Sequence, residues 1–213
     1  LHFVRMAREV SLLNKKHLLK YAAKSRIVEF TNTKKSDSTI VVSTNERDKL
    51  LSYLPESRIE FLPLVFSEQS EQHKMPCFGK TDMVFIGNFN HTPNADAVRW
   101  FATDIFPLIL RKLPDARFHI VGANPPRDIS ELSSESIIIH GFVDDLDTLL
   151  GTMSLSVVPL RFGAGMKGKV GSSLRCGLPV VSTSIGCEGM SLSAGEGAII
   201  ADNSDSFSDA VIQ

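Results

Sequence analysis

From residue 82 to the end of the chain, short β-branched runs alternate with helical stretches, with little sequence left over between them. Strands are expected at residues 83–87, 117–122, 136–141, 155–160, 179–183 and 198–201. Helices are expected from Pro93, Asp145, Met166 and Ser204. Strictly alternating strands and helices fold as a parallel sheet, because each crossover returns in one hand and lays its helix on a sheet face. The strand runs are mostly apolar, as strands buried on both faces are. The fold class is therefore α/β, a parallel sheet with helices on both faces.

The chain divides near residues 66–80. Before that point, residues 2–28 suit a helix, 39–43 a strand, 45–53 a polar helix and 59–64 a second strand. Residues 67–80 are polar, with Pro76 and Gly79, as a linker would be. Three segments follow: 1–66, a small partial domain; 67–80, a linker; and 81–213, the main α/β domain. No internal repeat is present. With 213 residues, 43% of them apolar, the chain can bury a substantial core. A net charge of -1 gives no reason to expect nucleic acid as a partner. Cys77, Cys176 and Cys187 are odd in number and lack metal-ligand spacing, so reduced thiols in a cytoplasmic protein are expected, with no disulfide framework and no zinc site. No apolar run reaches the roughly 20 residues that span a bilayer, and the first residues lack a signal-peptide layout. The chain begins with Leu1 and stops at Gln213 inside an apparent helix, so a longer parent protein is expected.

Chemistry concentrates between residues 159 and 190. A strand runs into Arg161, Gly163, Gly165, Lys167, Gly168 and Lys169, then into a helix that stops at Gly177 and Pro179. Glycines let a ligand approach the backbone closely, and the N–H groups that open a helix attract an anion. With three cations added, the loop reads as a phosphate cradle. The competing reading is a tight turn with solvated lysines. Gly163, Gly165 and Gly168 also fit the G-x-G-x-x-G pattern of dinucleotide-binding domains. That match is rejected: the loop follows several strands instead of the first, and residues 179–183 end in hydroxyls where an acid is required about 20 residues on.

Other loops end at the same carboxyl edge of the sheet, where open α/β sheets bind ligands. They are Gly87, Asn88, Phe89, Asn90 and His91; Gly141, Phe142 and Val143; and residues 186–189. The helix after the first of them should be capped by Thr92 and opened by Pro93. Ala97, Val98, Phe101, Ile105 and Leu108 form its apolar stripe, and Pro107 bends its last turn. Trp100 and Phe101 read as packing. His91 either touches a ligand in its loop or caps the helix, while His119 and His140 lie inside strand patterns and read as structural.

Five motifs in order carry a resemblance. They are Gly87-x-Phe89-x-His91-x-Pro93-Asn94-x-Asp96-Ala97; His140-Gly141-Phe142-Val143-x-Asp145-Leu146; Pro159-Leu160-Arg161-x-Gly163-Ala164-Gly165-x-Lys167-Gly168-Lys169-Val170; Gly177-x-Pro179-Val180-Val181-x-Thr183; and Glu188-Gly189-Met190. Over residues 82–213 the chain resembles the donor-binding half of a family 4-type (group 1) glycosyltransferase of the GT-B fold, whose domains are Rossmann-like. Residues 1–66 resemble the tail of that family's acceptor-binding domain. The resemblance implies an enzyme that transfers a sugar from a nucleotide diphosphate sugar to an acceptor hydroxyl, with retention and without a metal, in glycan or polysaccharide biosynthesis. It implies a fragment inactive alone. It also implies a glycan or lipid-linked acceptor and a place at the inner face of the membrane, which a basic face at lysines 15, 16, 20 and 24 would suit.

Roles follow by the same resemblance. Arg161 and Lys167 would offset the charge of the leaving diphosphate. Gly87, Asn88, His91, Gly163, Gly165 and Lys169 would line the donor site. Gly141, Phe142 and Val143 would meet the base, and Ser172 and Glu188 the hydroxyls. One departure stands out: Ala164 and Ser172 occupy positions where the family carries glutamates. Two further readings therefore stay open, a catalytically silent module that binds sugar nucleotides and a GT-B-type sugar-nucleotide epimerase.

Overall fold

A computed structural model describes residues 18–65, 81–163, 165–190 and 197–213. The linker expected at 67–80, residues 2–17 of the first helix, Lys15, Lys16, Cys77 and Ala164 lie outside the described residues. Contacts divide the chain into two compact units.

The larger unit carries the sheet. Its strands are β3 (Asp82–Ile86), β4 (Arg117–Val121), β5 (Ile137–Gly141), β6 (Leu155–Val158), β7 (Val180–Ser182) and β8 (Ala198–Ile200), numbered after two strands of the smaller unit, β1 (Thr39–Val41) and β2 (Ile59–Phe61). All pairings are parallel, in the order β5-β4-β3-β6-β7-β8. Counted from β3, this is the 3-2-1-4-5-6 order of doubly wound sheets, which places the switch point between β3 and β6. Consecutive residues Met83, Val84 and Phe85 are all buried, as are residues 118–121 and 180–182. Since successive strand side chains point to opposite faces, both faces of the sheet are covered.

Helices α3 (Thr92–Trp100), α4 (Phe106–Leu110), α5 (Arg127–Ser130), α6 (Leu146–Leu150), α7 (Gly168–Arg175) and α8 (Ser204–Ile212) flank the sheet. An aromatic cluster of Phe101, Phe106, Phe118 and Phe207 is fully buried, with Phe101 and Phe118 centroids 4.5 Å apart. Burial of each such ring is worth about 1.5–3 kcal/mol. Val84, Val121, Leu150, Met153, Cys176 and Leu178 form an aliphatic cluster.

The bend expected at Pro107 takes a different form. Residues Phe101–Ile105 form a π-helical turn, and the Phe106 N–H donates to the Phe101 carbonyl five residues back. Proline has no N–H and clashes with the preceding turn, so the chain widens before it and Pro107 then sits in the first turn of α4. One helix begins a residue earlier than expected and another two residues later. His91, not Thr92, takes the N-cap position of α3, and α7 starts at Gly168, not Met166.

The smaller unit gathers α1 (Leu18–Lys35), β1 (Thr39–Val41), α2 (Thr44–Tyr53) and β2 (Ile59–Phe61) with loop residues Phe162, Gly163, Gly165, Met166, Lys167, Glu188, Gly189 and Met190. β1 and β2 pair in parallel, Thr39 opposite Ile59, over a core of Val41, Leu50 and Ile59. α1 runs past the expected end at residue 28, because nothing before Ser36 interrupts it and Lys34 and Lys35 suit the negative end of its dipole. Among the described residues no helix is long and apolar enough to cross a membrane.

Candidate functional site

At the switch point, the loop after β3 is built on its own hydrogen bonds. The Gly87 N–H donates to the Val121 carbonyl at 2.8 Å, and the Asn90 N–H to Asn88 Oδ1 at 2.9 Å. Gly87 packs tightly: a Cβ there would lie 2.7 Å from the Asn94 side chain and 2.9 Å from the Phe85 ring. Asn94, buried on the first turn of α3, donates from Nδ2 to the Asn88 carbonyl at 2.7 Å. Its Oδ1 accepts from Lys169 Nζ at 2.6 Å. Lys169 opens α7 and also lies 4.2 Å from the Phe85 ring centroid, a favourable cation–π distance. One buried amide thus ties the loop after β3 to the cation at the start of α7.

Arg161, just beyond β6, is held by the same helix. Its Nε donates to Asp96 Oδ2 at 3.0 Å and its Nη2 to Asp96 Oδ1 at 2.6 Å. The Asp96 side chain is 9% exposed and that of Arg161 34%. The guanidinium carbon also sits 5.5 Å from the centre of the Trp100 ring. Asn94 and Asp96 were not expected to hold these cations. Their signal in the sequence was two polar side chains set among residues 93–98, all of which the fold buries.

In the smaller unit, Lys167 Nζ donates to the Gly165 carbonyl and lies 4.0 Å from Glu188 Oε2. Its side chain is 10% exposed. Gly163 and Gly165 have φ of +143° and +77°, conformations that L side chains rarely adopt. A Cβ on Gly165 would lie 3.2 Å from Glu46 Oε1 of α2.

The remaining expected residues are placed as follows. Phe142 is 72% exposed, whereas Val143 is half-buried and packs against the aliphatic cluster. Gly141 ends β5 at φ +70°, and its carbonyl accepts from the Gly122 N–H. Ser172 is half-buried on α7. His91 is exposed and its ring makes no capping bond. Thr183 Oγ1 donates to the Leu160 carbonyl and accepts from the Gly186 N–H, bracing the loops after β6 and β7.

His119 and His140 stack on neighbouring strands, with His119 Nδ1 and His140 Nε2 2.9 Å apart and His119 Nε2 3.5 Å from Asp82. Burial pushes the pKa of both imidazoles down. Among the described residues no group of three or more His, Cys, Asp or Glu side chains could hold a metal ion.

Comparison with known proteins agrees with this architecture. Residues 80–213 match the sequence model of the family described as "Glycosyl transferases group 1". A Klebsiella pneumoniae relative, "Uncharacterized 44.6 kDa protein in cps region", is 28% identical over 141 residues, which cover 62% of this chain and 36% of the relative. Among solved structures, Staphylococcus aureus TarM, in complex with Fondaparinux, alpha-GlcNAc-glycerol and UDP, superposes with a TM-score of 0.73 at 18% identity, over 89% of this chain and 39% of that one. The pneumococcal O-GlcNAc transferase GtfA, in complex with UDP and GlcNAc, gives 0.66 at 15% identity, over 87% and 38%. Anabaena Alr3699/HepE, in complex with UDP and glucose, gives 0.63 at 11% identity, over 92% and 56%. The chain thus has the architecture of GT-B proteins and spans little more than a third of the K. pneumoniae relative and of TarM.

Proposed function

The chain belongs to the group 1 glycosyltransferases, and from that premise we propose that its larger unit binds a nucleotide diphosphate sugar and that the full-length protein transfers the sugar to an acceptor hydroxyl. The observation that carries the reading is at the switch point. Arg161 and Lys169 follow the central strand β6, and each is held by a buried polar side chain of the helix that follows β3. Doubly wound sheets bind nucleotides outside the carboxyl ends of the strands at that point.

In this reading Arg161 and Lys167 offset the charge that gathers on the diphosphate as the glycosidic bond breaks, aided by the first N–H groups of α7. No metal is needed for that charge balance. Ser172 and Glu188 take the hydroxyls, and Phe142 meets the base through its exposed ring or its backbone. Transfer goes with retention to a glycan or lipid-linked acceptor, at the inner face of the membrane. Residues 1–66 serve as the end of the acceptor-binding domain, residues 67–80 as the linker and residues 81–213 as the donor domain, so the fragment alone is inactive. The sugars and UDP bound to TarM, GtfA and HepE support a donor of this class.

A second reading, a silent module that binds sugar nucleotides, is favoured by Ala164 and Ser172 standing where the family carries carboxylates. Release of nucleoside diphosphate from sugar nucleotides by the full-length protein separates the two. Release supports the transferase. Saturable binding without release supports the silent module.

A further inference from the structure

We propose that Asp96 is the positioning residue for Arg161, holding the guanidinium so that it meets the diphosphate without leaving its carboxylate. The inference rests on the reading of Arg161 as a diphosphate ligand.

The hold is three-sided. Asp96 and Trp100 lie four residues apart on α3 and so share a helix face. Asp96 takes one N–H from Nε and one from Nη2, and Trp100 lies 5.5 Å from the guanidinium carbon. Trp100 is itself fixed by an edge-on contact with Phe207, centroids 6.2 Å apart. A guanidinium has five N–H donors, so three remain, two on Nη1 and one on Nη2. Exposure divides the pair the same way. The Asp96 side chain is 9% exposed and that of Arg161 34%, so the accessible member of the pair is the one that carries unused donors.

Two outcomes of anion binding are conceivable for such a pair. The anion can draw Arg161 away, leaving a buried carboxylate without its cation, which is strongly unfavourable. Alternatively it binds the free edge while the bidentate contact stays in place, and the freedom of a long side chain has already been given up. The burial of Asp96 favours the second. The two make opposite predictions for loss of the carboxylate charge. A competitor for Arg161 would weaken anion binding, so its removal tightens it. A positioning residue strengthens binding, so its removal loosens it.

The experiment is calorimetric titration of the full-length protein with UDP and with UMP, for the parent, Asp96→Asn, Arg161→Ala and the double variant. Asp96→Asn is expected to weaken UDP on the order of tenfold, with a smaller loss for UMP. The double variant should bind no worse than Arg161→Ala, since Asp96 acts through Arg161. Unchanged or tighter UDP binding in Asp96→Asn overturns the proposal, as do losses that multiply in the double variant. A parent that takes neither UDP nor GDP, or an Arg161→Ala variant that binds the diphosphate like the parent, overturns the reading of Arg161 and the proposal with it; where the parent takes GDP alone, GDP and GMP replace UDP and UMP in the series.

Should Asp96→Asn fail to fold, nitrogen NMR of the parent decides. The Arg161 Nε–H resonance, assigned by its loss in Arg161→Lys, should keep its carboxylate-bonded shift on addition of UDP while the Nη signals move. Release of Nε–H by UDP overturns the proposal.

Discussion

Asn94 is the residue whose loss the structure costs most directly. Asn94→Ala removes two hydrogen bonds at once: the one that Lys169 Nζ donates to Oδ1 at 2.6 Å and the one that Nδ2 donates to the Asn88 carbonyl at 2.7 Å. A bond to a charged group contributes about 1.5–3 kcal/mol and a neutral one about 0.5–1.5 kcal/mol. Lys169 keeps its place 4.2 Å from the Phe85 ring centroid, which recovers part of the loss. A destabilisation of about 2–3 kcal/mol is therefore expected. At about 2–4 °C per kcal/mol for a chain of this size, Tm falls by roughly 4–12 °C. Asn94→Asp is the control. Its carboxylate still accepts from Lys169, yet it turns an acceptor oxygen toward the Asn88 carbonyl, so it should lie between the parent and Asn94→Ala. Thermal and urea unfolding measure both variants. A Tm for Asn94→Ala within about 1 °C of the parent, under the roughly 2 °C that each kcal/mol is worth, would refute the role given to this amide.

If the full-length protein transfers sugar as proposed, Lys167→Ala should cost it about 2–4 kcal/mol of transition-state stabilisation, read as kcat/KM for the donor; unchanged turnover would sink its assignment. Because Lys167 pairs with Glu188 and the Gly165 carbonyl, the variant should also lose some thermal stability, visible in the same unfolding scans. Gly165→Val forces a branched side chain into φ +77° beside Glu46, so it should lower stability by about 1–3 kcal/mol and abolish nucleotide binding; a variant that binds normally would make the loop a mere turn. His119 and His140 bind protons less readily in the fold than in the unfolded chain, whose imidazoles titrate near pH 6.5. The stability they contribute is whole above that pH and is lost as pH falls through their folded values. Unfolding at pH 7.5 and 5.0 should show the loss, and His140→Gln should reduce it; a variant that loses as much as the parent would exclude the pair as its source.

The strands were legible in the sequence because each is a short β-branched or apolar run, the inner ones buried on both faces and the edge strand β8 half exposed at Ile199 and Ile200. All six of the main sheet lie where such runs fall, with ends shifted by no more than two residues. The helix Arg127–Ser130 was not foreseen, since four residues are too few to show a period. The π turn escaped for another reason: it depends on how the chain accommodates Pro107, and the proline alone marks only the place. Within the site, the cations and glycines of residues 161–169 were plain from their density. Their partners were not. Asp96 lies 65 residues from Arg161, and Asn94 lies 75 from Lys169, so no local pattern joins them. Lys167 likewise showed no structural partner in the sequence, and its contact with Glu188 arises only when residues 162–167 and 188–190 fold together. Val143 lies in a binding-edge motif, and its packing against the aliphatic cluster likewise has no local signature in the sequence.

The proposed function requires a nucleotide diphosphate to be bound through Arg161 and Lys167. Calorimetric titration of the full-length protein with UDP and GDP, repeated with Lys167→Ala, tests it most directly. Saturable binding of at least one diphosphate is expected, weakened at least tenfold in the variant, with the corresponding nucleoside bound equally by both. Binding of neither diphosphate, or equal affinity in parent and variant, would contradict it.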